Sequence, residues 1–219
     1  DPIEQNGPIF VGWPKPDVLL VFSGEQDGYL EPCGCAGLEN QKGGLQRRFT
    51  LLKELRAKGW PIVAMDSGSQ EQRTGVEANW KLDFTYRALS LMKYAAVGIG
   101  PQDLRLDFDS VVINWEDAPE KLVSANVALG DFDSGFWQRY KIVEQGGMKI
   151  GITAVLGKKE LAGLKNASDF TFMDPAAALE QVLPALRKAK CDQLVLLAHA
   201  EPAEAKELAR RFPEFNWIT

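Results

Sequence analysis

The sequence of 219 residues contains a single histidine, His199. That leaves almost no room for a histidine-rich metal centre. Cysteine is nearly as scarce, with Cys33, Cys35 and Cys191 only. No Cys-x-x-Cys redox motif and no Cys-x-x-Cys-His haem-attachment motif occurs, so no haem is expected. No nucleotide cofactor is expected either. Positive charge is not in excess: 25 Lys and Arg stand against 30 Asp and Glu, a net charge of -5. A nucleic-acid partner would call for a basic footprint. No apolar run approaches the roughly 20 residues of a membrane span. The longest, Gln193 to Ala198, suits a buried strand. There is no short repeat, no low-complexity tract and no linker that would divide the chain. It begins at Asp1 rather than Met, as after removal of a signal peptide or in a chain cut at that point.

What is present is the composition of an ordinary globular protein, 45% apolar and 25% charged. Residues 1–16 carry Pro2, Gly7, Pro8, Gly12, Pro14 and Pro16 and read as an extended arm, pinned by Phe10, Val11 and Trp13. From residue 17 to 219 the pattern is that of one domain. Asp17 to Phe22 is a continuous apolar run, as in a strand buried on both faces. Leu45, Phe49, Leu52 and Leu55 fall at helical spacing and end at Gly59. Pro61 to Met65 is a second buried strand, and Leu82, Tyr86, Leu89 and Met92 mark a helix over 79–93. Ala95 to Ile99 is a third strand.

Leu122 to Val127 reads as the next strand. Two further strands, over 137–143 and 149–155, flank Gly146-Gly147, a hairpin signal. Pro175 opens a helix through Leu186, with Pro184 inside it as a place for a kink. A strand to Ala198, a helix over 202–212 and a short strand at 216–219 complete the chain. The alternation predicts an α/β fold, mostly parallel with an antiparallel hairpin, with helices on the outer faces. Cys191 reads as a small buried hydrophobe.

The strand ends carry the chemistry. Glu25 and Asp27 follow the first strand, Asp66 and Ser69 the second, Asp103 the third, Asn126 the fourth, and His199 the strand that runs to Ala198. Polar groups in series at carboxyl strand ends converge on one rim, where ligands of open α/β sheets sit. Between the first strand and its crossover helix lies Glu31-Pro32-Cys33-Gly34-Cys35, then Gly43-Gly44-Leu45-Gln46-Arg47-Arg48. Arg47 and Arg48 early in a helix oppose its dipole. An anion held there would compensate them, as would an ion pair with a neighbouring acid. Cys33 and Cys35 have two open readings: a disulfide clasp closed in a tight turn, or thiolate ligands to a soft metal.

The element order, Asp66-x-Gly68, Gly98-x-x-x-x-Asp103, Ser124-Ala125-Asn126-Val127 and Leu197-Ala198-His199 together resemble the N-terminal domain of periplasmic 5′-nucleotidases. These belong to the calcineurin-like metallophosphoesterase superfamily. The Cys-Gly-Cys loop with Gly-Gly-Leu-x-Arg-Arg looks like a bacterial branch of exported proteins carrying that domain. The resemblance implies a layered fold, an exported, periplasmic or cell-envelope location, a phosphate-containing small molecule as ligand, and two metal ions in the cleft. Carried over position by position, Glu25 and Asp27 stand at the Asp and His of the first family motif. Ser69 stands at the bridging Asp, with Asp66 three residues earlier. Ile99-Gly100 stands at an Asn-His pair, Asp103 matches a later acid of that motif, and His199 matches a lone catalytic or ligating His. The final family motif would fall beyond Thr219, so a C-terminal region or a protein partner is expected to complete such a site.

Ser69, Ile99 and Gly100 replace the groups a two-ion centre needs. One hard divalent ion (Mn, Mg or Ca, with Zn a further choice) held by Glu25, Asp27 and Asp66, and in the wider set by Asp103 and His199, is what the remaining acids suit. The expectation is therefore a pseudoenzyme or binding module on this scaffold. The alternatives are an active hydrolase with altered ligands and an exported metal- or redox-handling protein built on the cysteine loop.

Overall fold

A computed structural model describes residues 9–32, 43–106, 115–133, 135–164 and 169–219. Cys33 and Cys35 lie outside the described residues, as do residues 1–8 of the arm. Strands β1 (Leu19–Ser23), β2 (Ile62–Asp66) and β3 (Tyr94–Val97) form a three-stranded parallel sheet in that order. Its two crossovers are helices α1 (Leu45–Ala57) and α2 (Val76–Leu91). After a 3₁₀ turn at Asp103–Arg105 and the short helix α3 (Ala118–Lys121), β4 (Val127–Leu129) pairs antiparallel with β7 (Phe170–Phe172). The second large sheet is mixed. β5 (Tyr140–Gln145) and β6 (Met148–Leu156) form the expected hairpin around Gly146-Gly147. β6, β8 (Gln193–His199) and β9 (Trp217–Ile218) then run parallel. The remaining helices are α4 (Lys158–Ala162), α5 (Pro175–Ala189) and α6 (Pro202–Arg211).

The period-2 alternation of the strands sorts their side chains into three cores. Val63 and Met65 of β2 face Ile150 and Ile152 of β6 and Val195 and Leu197 of β8. The two sheets therefore pack on each other. Ile62 and Ala64 point the other way, to Leu52 and Leu55 of α1 and Leu82, Tyr86 and Leu89 of α2. Leu194, Leu196 and Ala198 point to Leu179, Val182, Leu183 and Leu186 of α5. The result is a layered α/β fold, helix–sheet–sheet–helix, with helices outside as the pattern requires.

Element limits moved where local chemistry overrode periodicity. α2 begins at Val76, three residues early, because Gly75 takes φ 104 and releases the turn. The residues expected as a strand from Leu122 pair only through isolated bridges at Leu122 and Val123, and regular pairing starts at Val127. β7 and α4 were not anticipated. Each is five residues or fewer, too short for a period to show. α5 runs through Pro184 without interruption and is capped by Asp174, whose Oδ1 accepts from the Ala177 N–H at 3.0 Å. Cys191 is half-buried against α5 and the second sheet. Of the arm's three pins, Phe10 packs edge-on against Trp60 at 5.7 Å, while Val11 and Trp13 stay exposed.

Candidate functional site

Three loops meet at the carboxyl edge of the parallel sheet. The backbone after β1 is laced to the backbone after β2: Glu25 N donates to Gly68 O at 2.9 Å, Asp27 N to Ser69 O at 3.3 Å and Gly28 N to Gln70 O at 2.8 Å. The loop after β3 closes from the other side. A Cβ on Gly68 would stand 2.3 Å from Gly100 N, and one on Gly100 would stand 2.2 Å from Ser69 N. Only glycine allows that approach. Glu25, Asp27 and Ser69 all take positive φ, at 49, 54 and 60. For non-glycine residues this conformation is uncommon and gathers at functional sites.

Asp66 and Asp103 hold these loops together. Both are fully buried. Asp66 Oδ2 accepts from Ser23 Oγ at 2.5 Å, and its Oδ1 accepts from Gly68 N at 2.9 Å and Gln70 Nε2 at 2.6 Å. Asp103 Oδ2 accepts from Ser69 N at 2.9 Å and Gly100 N at 3.0 Å, and Oδ1 accepts from Gln70 N at 2.7 Å. Burial pushes the Asp103 carboxyl up to about 7, against the three backbone donors, which favour its charged form. Tyr86 lies beside it, its hydroxyl raised well above the usual range first by burial and then by the Asp103 charge.

Arg48 reaches in from the first turn of α1. Its guanidinium donates to Gln26 Oε1 at 2.6 Å and stands 3.8 Å from Asp66 Oδ2. It is therefore engaged with protein acceptors. Arg47 points to the outer side of the same helix, in a surface groove with Gln46, Thr50 and Glu54. Asn126 is fully buried away from the rim. Its Nδ2 donates to Leu156 O at 2.7 Å and Met173 O at 3.2 Å, while Oδ1 accepts from Leu156 N at 2.9 Å. It staples the end of β6 to the segment after β7.

An open cleft of about 560 Å³ lies between the carboxyl ends of β1 and β8. Glu25, Ser67, His199, Glu201 and Glu160 line it. Asp27 lies within electrostatic reach. Its carboxyl is raised by burial and by the nearby Glu25 and Glu71, with His199 opposing. The structure thus brings Glu25, Asp27 and His199 into one neighbourhood and keeps Asp66, Asp103 and Asn126 inside. Among the described residues, no group of three or more His, Cys, Asp or Glu side chains is arranged to hold a metal ion.

Gln70 and Glu71 escaped the sequence reading. Both are buried, and Ser69 Oγ, Gln70 Oε1 and Glu71 Oε2 have no hydrogen-bond partner among the described residues. An unmet buried acceptor costs about 1–3 kcal/mol. Three in succession, directly after Asp66-Ser67-Gly68, mark this turn as the site's unusual element. The signal available in sequence was a Gln-Glu pair where a strand-end loop should be wet.

The chain matches no protein-family model. It is 27% identical over 187 residues to a snake venom 5′-nucleotidase of Crotalus adamanteus, covering 81% of this chain and 31% of that protein. The aligned stretch thus spans about a third of the length of such curated relatives. In fold it superposes on a 5′-nucleotidase precursor from Thermus thermophilus, with a TM-score of 0.70, 22% identity, and coverage of 87% of this chain and 38% of the other. A calcineurin-like phosphoesterase from Bacillus subtilis gives 0.64 at 17% identity, covering 91% and 70%. Among the described residues, no helix is long and apolar enough to cross a membrane. In sequence the chain is thus similar to part of the 5′-nucleotidases, and it shares the fold of 5′-nucleotidases and of a calcineurin-like phosphoesterase.

Proposed function

We propose that this chain is a non-catalytic metallophosphoesterase-like domain, a binding module that keeps the 5′-nucleotidase scaffold without its two-ion centre. One observation carries the reading. Asp66 and Asp103, the acids at the second and third strand ends, are fully buried and spend both oxygens on Ser23 and on the loops that meet at this edge. Such oxygens are not free to bind an ion without dismantling the loops they hold. Ser69, Ile99 and Gly100, at the positions where the resemblance expects a bridging Asp and an Asn-His pair, carry no carboxylate or imidazole. The residues present therefore do not fit two bridged ions. The reading takes residues 17–219 as one domain and the location as exported. The Crotalus relative, named for venom, supports the location.

The ligand we assign to the cleft, by kinship with nucleotide hydrolases, is a phosphate-containing small molecule. A second reading, an altered-ligand hydrolase with one hard ion, is favoured by the unpartnered Glu71 Oε2 near Asp27. Hydrolysis of p-nitrophenyl phosphate and of nucleoside monophosphates, assayed with and without Mn²⁺, separates the two. The binding-module reading expects no metal-stimulated turnover above the Asp66→Ala variant. Turnover that Mn²⁺ raises and Asp66→Ala or Glu71→Gln abolishes would establish the hydrolase.

A further inference from the structure

We propose that the outer face of α2 is a self-association surface, on which the α2 of a second copy of this chain docks antiparallel about a two-fold axis. The inner face of α2 is spent on the core through Ala78, Leu82, Tyr86 and Leu89. Its outer face should be polar in a helix that meets only water. Instead Val76, Trp80, Phe84 and Leu91 stand 68%, 65%, 60% and 73% exposed. Their spacings of four, four and seven place them in one stripe of about 22 Å. Aromatic side chains are enriched where one protein surface meets another, and a continuous apolar stripe marks such a surface.

The stripe's own order names the occupant. Its midpoint falls between Asp83 and Phe84. A two-fold axis there sets Val76 opposite Leu91 of the copy and brings the two Phe84 rings together at the centre. It also sets Trp80 opposite Arg87, a cation within the stripe. Arg87 Nε is held by Asp83, 2.9 Å from each carboxylate oxygen. Guanidinium against indole is a favourable cation–π pairing. Val76, Phe84 and Leu91 thus meet apolar groups, and the cation meets an aromatic face. Self-complementarity of that kind is the requirement of a closed two-fold interface.

Sedimentation equilibrium on the whole chain, with circular dichroism as a check of folding, tests this. The wild type should dimerise reversibly, and Trp80→Glu should weaken the dimer by at least about 100-fold, as expected for a buried aromatic anchor. Arg87→Glu should weaken it, and Arg87→Lys less so. Phe84→Cys should form a disulfide-linked dimer on mild oxidation, well beyond Lys188→Cys, placed on the opposite helix layer. A chain that sediments as a monomer at every concentration overturns the proposal. So does a dimer indifferent to Trp80→Glu, or cross-linking no better from position 84 than from position 188.

Discussion

Asp66 Oδ1 accepts the Nε2 proton of Gln70 at 2.6 Å, four residues further along the same strand-end turn. That bond turns an acid expected at the rim into the anchor of its own loop. Ser23 Oγ and Gly68 N complete its shell. Asp66→Ala should therefore lower stability by about 2–4 kcal/mol, since three donors lose their acceptor in a fully buried place. Urea unfolding at pH 7 measures it. A loss under about 0.5 kcal/mol would show that the carboxylate is not structural.

Asp103 makes stability depend on pH. Its carboxyl is raised from 3.8 to about 7, chiefly by burial, so the folded state holds a proton that the unfolded state has released. The sign follows from linkage: between about 4 and 7 the unfolded chain binds fewer protons, and stability falls as pH rises. The contribution is fully present below about 4 and lost by about 7. Asp103→Asn, which cannot ionise, should show a shallower fall in unfolding free energy from about pH 5 to about pH 8 than the wild type. Equal slopes for the two proteins would refute the assignment.

Arg48 and Arg47 are neighbours in sequence and opposites in role. Arg48→Ala removes the donor to Gln26 and the cation 3.8 Å from Asp66, and should cost about 1–3 kcal/mol. Arg47→Ala, on the exposed side of α1, should cost less than about 0.5 kcal/mol. Because Arg48 is engaged within the protein, millimolar inorganic phosphate should shift the thermal midpoint of wild type and Arg48→Ala equally. A shift seen only in the wild type would restore the anion-binding expectation.

Asn126 is the second buried staple. Asn126→Ala removes two donations and one acceptance linking Leu156 and Met173, and should destabilise by about 2–4 kcal/mol. Ligand affinity of the cleft, once stability is corrected for, should not change. Chemical denaturation with a binding isotherm on the same preparation separates those effects.

Much of the fold was legible because its helices and inner strands obey strict periods. Leu82, Tyr86, Leu89 and Met92 are all buried as the spacing required. Gly146-Gly147 turns a hairpin because both residues take positive φ, at 61 and 78. The rim was only half legible. Sequence places Asp66, Asp103 and Asn126 at strand ends, but whether a polar side chain turns out to solvent or back onto its own loop depends on neighbours. For Asp66 and Asp103 those neighbours are Ser23, Gln70 and the tightly apposed Gly68 and Gly100. For Asn126 they are Leu156 and Met173, distant in sequence. Arg48 takes the ion-pair alternative, but with partners no local pattern points to: Gln26 and Asp66 come from two other strand ends. Phe49 sits at core spacing yet is 42% exposed, because α1 turns Leu45, Leu52 and Leu55 inward and leaves position 49 at the edge of its buried face.

The central claim is that the acids of this edge serve the fold rather than a two-ion centre. Equilibrium dialysis of the whole chain against Mn²⁺, with elemental analysis of the retained metal, addresses it most directly when Asp66→Ala and Glu71→Gln are run beside the wild type. The wild type should retain no stoichiometric pair of ions, and Asp66→Ala should retain what the wild type does. Two ions per chain, lost on Asp66→Ala, would contradict the claim.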